Sequence, residues 1–160
     1  MYYTDKNGDL YTGDMQPGDR EATAEEVRAR FGDPLENAKK AACAALKEKR
    51  LAVEYAGPLV EVGGVLVRFP SEVKDETRLN SLAGLFMADP TARIDDWKVA
   101  DGVYVTMTAP LLQTVKAAGF IHISATYSVE RAKRVELETL ETPETVTTWL
   151  PENLATGWPE

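Results

Sequence analysis

The chain contains one histidine and one cysteine, so few arrangements for nucleophilic catalysis or metal binding are open to it. His122 would need a partner such as Ser, Cys, Asp or a second His to form a catalytic dyad or a metal site. The residues predicted to share its helical face are apolar or small. Cys43 stands among alanines, where a buried small hydrophobic residue is more usual than a nucleophile. We therefore predict that His122 is a core or interface residue with a satisfied ring nitrogen.

Two acidic motifs have residue types that bind metals or exchange protons. Asp5 opens a segment similar to a calcium loop, but Leu10 and Gln16 stand where an EF-hand requires Gly and Glu. Asp95 and Asp96 have the composition of a carboxylate pair for acid–base catalysis. Adjacent residues of a strand point to opposite faces, so we expect these two carboxylates to diverge. The first motif favours a hairpin turn, and the second favours a solvated entry to a hairpin.

Gly63-Gly64 is not followed by the Lys-Ser/Thr pair of a phosphate loop and leads into a strand, so it predicts a turn. The sequence thus predicts no catalytic, cofactor-binding or metal-binding residue, and a protein that is not an enzyme. A small enzyme is the remote alternative. It would require Asp95, Asp96 and His122 to come within hydrogen-bonding distance of one another.

Three hairpins are predicted to position these residues. The first, over residues 2–13, turns at Asn7-Gly8, a pair that suits a two-residue turn. The second, Leu59 to Phe69, and the third, Trp97 to Met107, alternate apolar and polar residues with the period of a strand that has one buried face. We expect the two interior hairpins to pair into one antiparallel sheet.

Capping residues predict where the helices begin. Thr23 and Glu26 have the spacing of a capping box before a short helix. Three further N-caps are predicted for longer helices: Asp33, Ser71 and Thr108. The last helix is expected to reach about residue 137 and to carry one largely apolar stripe: Leu111, Val115, Ala118, His122, Ala125, Val129 and Ala132, widened by Leu112, Ile123 and Tyr127.

These elements predict an α+β fold in which an antiparallel sheet from two hairpins packs against three helices. Residues 33–140 form this central helix-hairpin-helix-hairpin-helix domain, preceded by an N-terminal hairpin and short helix in residues 1–32. Residues 141–160 contain three prolines and two tryptophans and show no helical period. We predict that they form an extended C-terminal tail.

The charge balance limits the classes of partner. The chain has 26 acidic and 18 basic residues, for a net charge of −8, and its basic groups lie beside glutamates. Such a chain is repelled by nucleic-acid phosphates. No apolar run approaches the roughly 18 residues of a membrane span, and the first residues do not match a secretion signal. We expect neither nucleic acid nor a membrane as a partner, and synthesis and folding in a cytoplasm.

Four local features of residues 34–138 carry a family resemblance. They are the Gly-rich hairpin Val60–Phe69 after an Ala- and Lys-rich helix, the helix Ser71–Met87, the hairpin with Asp96-Trp97-Lys98 and Asp101-Gly102, and the helix bearing His122-Ile123, Tyr127, Glu130 and Lys133. This block resembles a domain of unknown function found in phage and prophage tail-fibre and tail-fibre assembly proteins. Phe69-Pro70-Ser71 stands where many members carry a Thr-Asp step. The resemblance implies a tail-associated role and brings no catalytic residues.

The resemblance implies non-covalent binding of a phage tail-fibre or other tail protein, as a chaperone-like assembly factor. A structural component of the virion tail is the alternative. The implied location is the bacterial host cytoplasm during assembly, with the virion tail as the second location, and homo-oligomerisation stays open. Apolar and aromatic residues near both termini are the predicted partner-binding set: Trp149, Leu150, Leu154, Trp158, Tyr2, Tyr3 and Tyr11. The other interpretation is that the tail folds back onto the domain.

Overall fold

The computed structural model describes all 160 residues and confirms the α+β class. In chain order, the elements are β1 (Tyr2–Thr4), β2 (Leu10–Thr12), β3 (Arg20–Glu21), α1 (Ala24–Phe31), α2 (Pro34–Ala56), β4 (Leu59–Val62), β5 (Val65–Arg68), α3 (Val73–Ala88), β6 (Arg93–Ala100), β7 (Val103–Thr108), α4 (Ala109–Glu138) and α5 (Pro143–Ala155). None of the helices combines the length and the apolar character that crossing a membrane requires.

The strands form three separate antiparallel sheets, with the orders β2-β1-β3, β4-β5 and β6-β7. The prediction that the two interior hairpins share one sheet is therefore wrong. Strand β6 contains a bulge between Ile94 and Trp97, where Asp96 adopts a φ of 55°. A bulge bends its strand and increases the local twist, which works against ladder pairing with a neighbouring hairpin. The hairpins instead meet through side chains, including Val67 and Val99.

The first apolar core lies between these two hairpins, α3 and the first half of α4. Its ten buried residues are Val60, Val67, Phe69, Leu82, Phe86, Val99, Val105, Met107, Leu112 and Val115. Each large side chain buried here stabilises the fold by roughly 1.5–3 kcal/mol. Because both hairpins contribute to one core, side-chain packing holds them together without a shared hydrogen-bond ladder.

The second apolar core lies between α2, the end of α4 and α5. It consists of Ala42, Leu46, Leu137 and Val146, and partly buried side chains of α5 pack around it. The prediction of an extended tail is wrong, because residues 143–155 form α5. Thr142 and Thr145 cap its start, and Pro143 occupies the first position, where a missing N–H removes no intrahelical hydrogen bond.

Between the two cores, α4 buries polar residues against α2. His122, Thr126, Glu130 and Lys133 continue the line of buried residues from Val115 to Leu137. We call these four residues and Arg50 of α2 the polar belt. The predicted stripe is therefore wrong in its second half, where Ala132 and Tyr127 are exposed. The helical period was read from apolar residues, whereas this part of the buried face is polar.

The polar belt is held by ion pairs. Arg50 Nε lies 2.7 Å from Glu130 Oε2, without the alignment of a hydrogen bond, and a second Arg50 nitrogen pairs with Glu54. Glu130 also accepts a hydrogen bond from Arg134 Nε at 2.8 Å. Lys133 Nζ donates to Asn153 Oδ1 of α5 at 2.9 Å. Every charged side chain of the belt thus has an opposite charge or a polar partner, as buried charges require.

Residues 1–32 form an N-terminal module in which β1 is the central strand. The predicted N-terminal hairpin is confirmed, but the predicted two-residue turn at Asn7-Gly8 is wrong. The Gly8 N–H donates to Asp5 O at 3.0 Å, so Lys6 and Asn7 are the central residues of the turn, and only Gly8 has a positive φ there. The Asp5 carboxylate accepts the Asn7 and Asp9 N–H groups at 2.8 Å and fixes this turn instead. The Asp9 N–H is the main cause of a lowered pKa at Asp5. Hydrogen bonds and ion pairs connect the module to the rest of the chain only at its junction with α2, through Arg28–Asp33 and Asn37–Phe31.

Candidate protein-binding site

An apolar groove of about 230 Å³ lies between α3 and α4, beside the end of β5. Its apolar lining includes Pro58, Phe69, Leu79, Val115, Phe120 and Ile123. Pockets for whole small molecules usually occupy roughly 300–1,000 Å³. This smaller groove is suited to one or two apolar side chains of another protein.

The rim of the groove is polar and the ring beside it is exposed. Lys116 Nζ donates to Asn80 Oδ1 at 3.0 Å, a contact that joins α4 to α3, and Glu76 also borders the groove. Phe120 has 73% of its surface exposed. Gly119 lines the groove without a side chain, and an added Cβ would meet no atom within 4 Å. An apolar centre with a polar rim is the arrangement of protein interfaces.

The groove floor is positioned by hydrogen bonds at the end of α2. The Phe69 N–H donates to Pro58 O at 3.0 Å, the Ser71 N–H donates to Tyr55 O at 3.2 Å, and Arg68 donates to Gly57 O at 2.8 Å. The last carbonyls of a helix lack intrahelical donors, so these contacts satisfy groups that would otherwise be unpaired. They hold the end of β5 against α2 and thereby set the position of Phe69.

The prediction that Ser71 caps α3 is wrong. Glu72 is the N-cap, and its side chain makes no capping hydrogen bond. The Ser71 hydroxyl instead donates to Glu54 O at the end of α2. Ser71 therefore connects two elements that lie far apart in the chain, which a local capping pattern cannot reveal.

His122 completes the same set of contacts. It is 5% exposed, and its Nε2 lies 2.9 Å from Val53 O near the end of α2. A carbonyl only accepts, so Nε2 carries the hydrogen and donates it. The prediction of a core histidine with a satisfied ring nitrogen is confirmed.

The other chemically suggestive residues lie apart from His122. Asp95 accepts a hydrogen bond from Thr106 at 3.0 Å, and Asp96 occupies the β6 bulge. Neither carboxylate forms a hydrogen bond with His122, and neither lines the groove. Cys43 is half-buried beside the second core. No three His, Cys, Asp or Glu side chains are arranged to hold a metal ion.

The predicted partner-binding residues near the C-terminus pack within the chain. Trp149, Leu150, Leu154 and Trp158 lie against the second core and are half-buried. Trp158 Nε1 donates to Asn153 O at 3.0 Å, whereas Trp149 Nε1 is buried without a partner. The structure therefore shows the fold-back alternative for this segment.

The N-terminal tyrosines pack within the N-terminal module. Tyr2 lies 5.0 Å from Phe31 between ring centroids, and Tyr3 lies 5.8 Å from Tyr11. The Tyr11 hydroxyl donates to Asp19, which raises the pKa of Tyr11 above its usual value. Tyr2 remains 37% exposed. The structure thus separates these tyrosines from the C-terminal tryptophans, and neither set contributes to the groove.

The groove was not predicted, because its lining comes from the α2–β4 connection, the end of β5, α3 and α4. One sequence signal points to it. Phe120 and Ile121 are large apolar residues that fall outside the predicted stripe of α4, so at least one of them had to lie at the surface. Ile121 is 71% exposed in the structure.

These features define a small α+β domain built on two apolar cores, with an apolar groove open at its surface. The chain belongs to the DUF4376 family, a domain of unknown function, whose model matches residues 37–149. The match runs from α2 into α5 and leaves the N-terminal module outside. The resemblance to a domain of unknown function is thereby confirmed at the level of the family. No curated protein and no solved structure matches the chain.

Proposed function

We propose that the protein binds a phage or prophage tail protein non-covalently, as a chaperone-like factor of tail-fibre assembly or as a tail-associated protein. The observation that carries the binding role is the groove between α3 and α4 with the exposed Phe120 at its edge. The tail partner rests on the resemblance of the central domain to tail-fibre assembly proteins. Binding would take place in the bacterial host cytoplasm during assembly.

The groove suits the surface that an unassembled fibre presents. Fibre chains expose apolar side chains and unpaired strand edges before they associate, and such surfaces aggregate. A groove of about 230 Å³ accommodates one or two of those side chains. The net charge of −8 keeps a protein that carries exposed apolar surface in solution.

The groove is the first candidate for the contact and the terminal segments are the second. Trp149 and Trp158 would have to leave the second core in order to bind a partner, whereas the groove is already open. Deleting residues 141–160 would uncover Ala42 and Leu46 and destabilise the whole domain. A substitution that fills the groove is therefore the sharper test.

Two helical glycines provide this test with a matched control. Gly119 lines the groove and Gly84 lies outside it on the exposed side of α3, and a Cβ on either one meets no atom within 4 Å. Gly119→Leu should fill the groove and Gly84→Leu should not. Both changes replace glycine in a helix with a stronger helix former, so both variants should fold.

Each variant should be co-expressed with a phage tail-fibre polypeptide. We expect the wild type and Gly84→Leu to keep the fibre soluble and to co-purify with it. With Gly119→Leu, the amount of soluble fibre and the amount of co-purified fibre should each fall at least tenfold. Retention of the fibre by Gly119→Leu at the wild-type level would refute the groove as the binding site. A chaperone should be missing from purified particles, whereas a structural component of the virion tail should remain in them.

A further inference from the structure

The outward side of α4 is unusually free of charge. Residues 117–129 are thirteen consecutive residues without Asp, Glu, Lys or Arg, although 28% of the chain is charged, which would place about 3.6 charges in thirteen residues. The exposed positions on this side recur at spacings of three or four when Arg131 is included, and the uncharged ones are Ala117, Phe120, Ile121, Ser124, Ser128 and Val135. We call these six residues the outer face of α4. Depletion of charge is typical of the centre of a protein interface.

We propose that this outer face binds a second copy of the chain, with the two α4 helices antiparallel about a two-fold axis at Ser124. In that arrangement, positions equally far from Ser124 face each other. Phe120 of one copy faces Ser128 of the other, and the two Ser124 residues meet at the axis. Phe120 thus faces a small side chain, Ile121 faces Tyr127, and the same patch serves both copies, as a two-fold interface requires.

Charge selects the antiparallel arrangement. Arg131 is the only charged residue on this side of α4 between Ala117 and Val135. It lies seven residues from Ser124, so the two Arg131 positions would be separated by fourteen residues, roughly 21 Å along the helix. That separation exceeds the Debye length of about 8–10 Å in physiological salt, so their repulsion is screened. A parallel pair would place the two Arg131 side chains next to each other.

The exposed area is enough for a dimer of modest affinity. Phe120, Ile121 and Val135 of the outer face are 73%, 71% and 64% exposed, and Tyr127, which the two-fold axis places opposite Ile121, is 53% exposed. At about 200 Å² for a large side chain, they offer roughly 500 Å² per copy, or roughly 1,000 Å² for a pair. A specific interface needs a total of about 1,000 Å². We therefore expect a dimer that dissociates on dilution through the micromolar range.

Sedimentation equilibrium of the full chain alone measures this association. The wild type should move from the monomer mass of 17.6 kDa toward twice that value as its concentration rises. Ile121→Asp should weaken the association at least tenfold, because it buries a charge in the interface. Val73→Asp is the matched control, since Val73 is 75% exposed on α3, away from the outer face. It should behave as the wild type does.

A wild type that stays monomeric at several hundred micromolar, or an Ile121→Asp variant that dimerises like the wild type, would overturn the proposal. Ile121 is exposed, so its substitution should leave the far-ultraviolet circular dichroism unchanged. Ser124→Arg, at the axis, provides a second exposed variant with the same expected loss. Phe120 belongs to both the groove and the outer face, whereas Ile121 does not line the groove, so Ile121→Asp tests the dimer without altering the groove lining.

Cross-linking tests the orientation of the two helices. In a Cys43→Ala background, Ser124→Cys should cross-link to its counterpart with a short thiol–thiol reagent, because the two residues meet at the axis. Ala117→Cys should not, since its counterpart lies roughly 21 Å away along the helix. Efficient cross-linking of Ala117→Cys, or none for Ser124→Cys, would refute the antiparallel pair.

Discussion

Replacing Gly57 by alanine should destabilise the protein more than any other glycine-to-alanine change in it. Gly57 ends α2 with a φ of 76° and a ψ of 173°, a backbone region that is almost restricted to glycine and costs another residue roughly 1–3 kcal/mol. An added Cβ would lie 1.8 Å from Phe69 O, so the end of β5 must move away. That movement breaks the hydrogen bonds that join Phe69 to Pro58 and Arg68 to Gly57, each of which contributes about 1 kcal/mol.

The combined loss is about 3–5 kcal/mol in the free energy of unfolding, a large part of the 5–15 kcal/mol typical of a domain. With a urea dependence of about 2 kcal/mol per molar, the midpoint of unfolding should fall by roughly 2 M. Gly102→Ala is the control, since Gly102 has a φ of 73° and open space around its missing Cβ. It introduces backbone strain without the collision. Midpoints of the two variants that agree within about 0.5 M would refute this account of the α2–β5 junction.

Two further predictions concern charged residues. The Arg20 side chain, followed by the Thr23 N–H, lowers the pKa of Glu26 from 4.5 to about 2, so its stabilising contribution is present above pH 4.5 and is lost as the pH falls toward 2. Carboxyl-carbon NMR should show this midpoint and its return toward 4.5 in Arg20→Gln, and a midpoint near 4.5 in the wild type would contradict it. Arg50→Met removes the Arg50 partner of Glu54 and leaves Glu130 with Arg134 alone, so urea unfolding should show a loss of about 1.5–3 kcal/mol. Adding Glu130→Leu to Arg50→Met should recover most of the lost stability. A double variant that unfolds at the same urea concentration as Arg50→Met would disprove the pairing.

The sequence predicted the elements whose ends are set locally. The capping box at Thr23, the Asp33 cap with Pro34 at the first helical position, and the Thr108 cap all hold in the structure. The turn at Gly63-Gly64, between the paired residues Val62 and Val65, holds as well. In these cases, the residues that determine the conformation are neighbours in the chain, so their spacing is sufficient.

The predictions failed where contacts between distant residues decide the structure, and where a local signal was misinterpreted. The prolines of residues 141–160 indicated an extended chain, yet Pro143 begins α5 and only Pro151 lies inside the helix. The packing of α5 on Leu46 and Ala42 is a long-range contact that no local pattern contains. The groove depends on the joining of four separate elements. Its position could not be predicted before the hairpins and helices were assembled.

The polar belt also has a consequence for sequence change. Sliding α4 by one turn along α2 would move Glu130 away from Arg50 and bring it against Leu46 or Glu54, at a cost of several kcal/mol. The belt therefore favours a single alignment of α2 and α4. Aliphatic residues in either core should be interchangeable at similar volume, while single exchanges in the belt should be poorly tolerated.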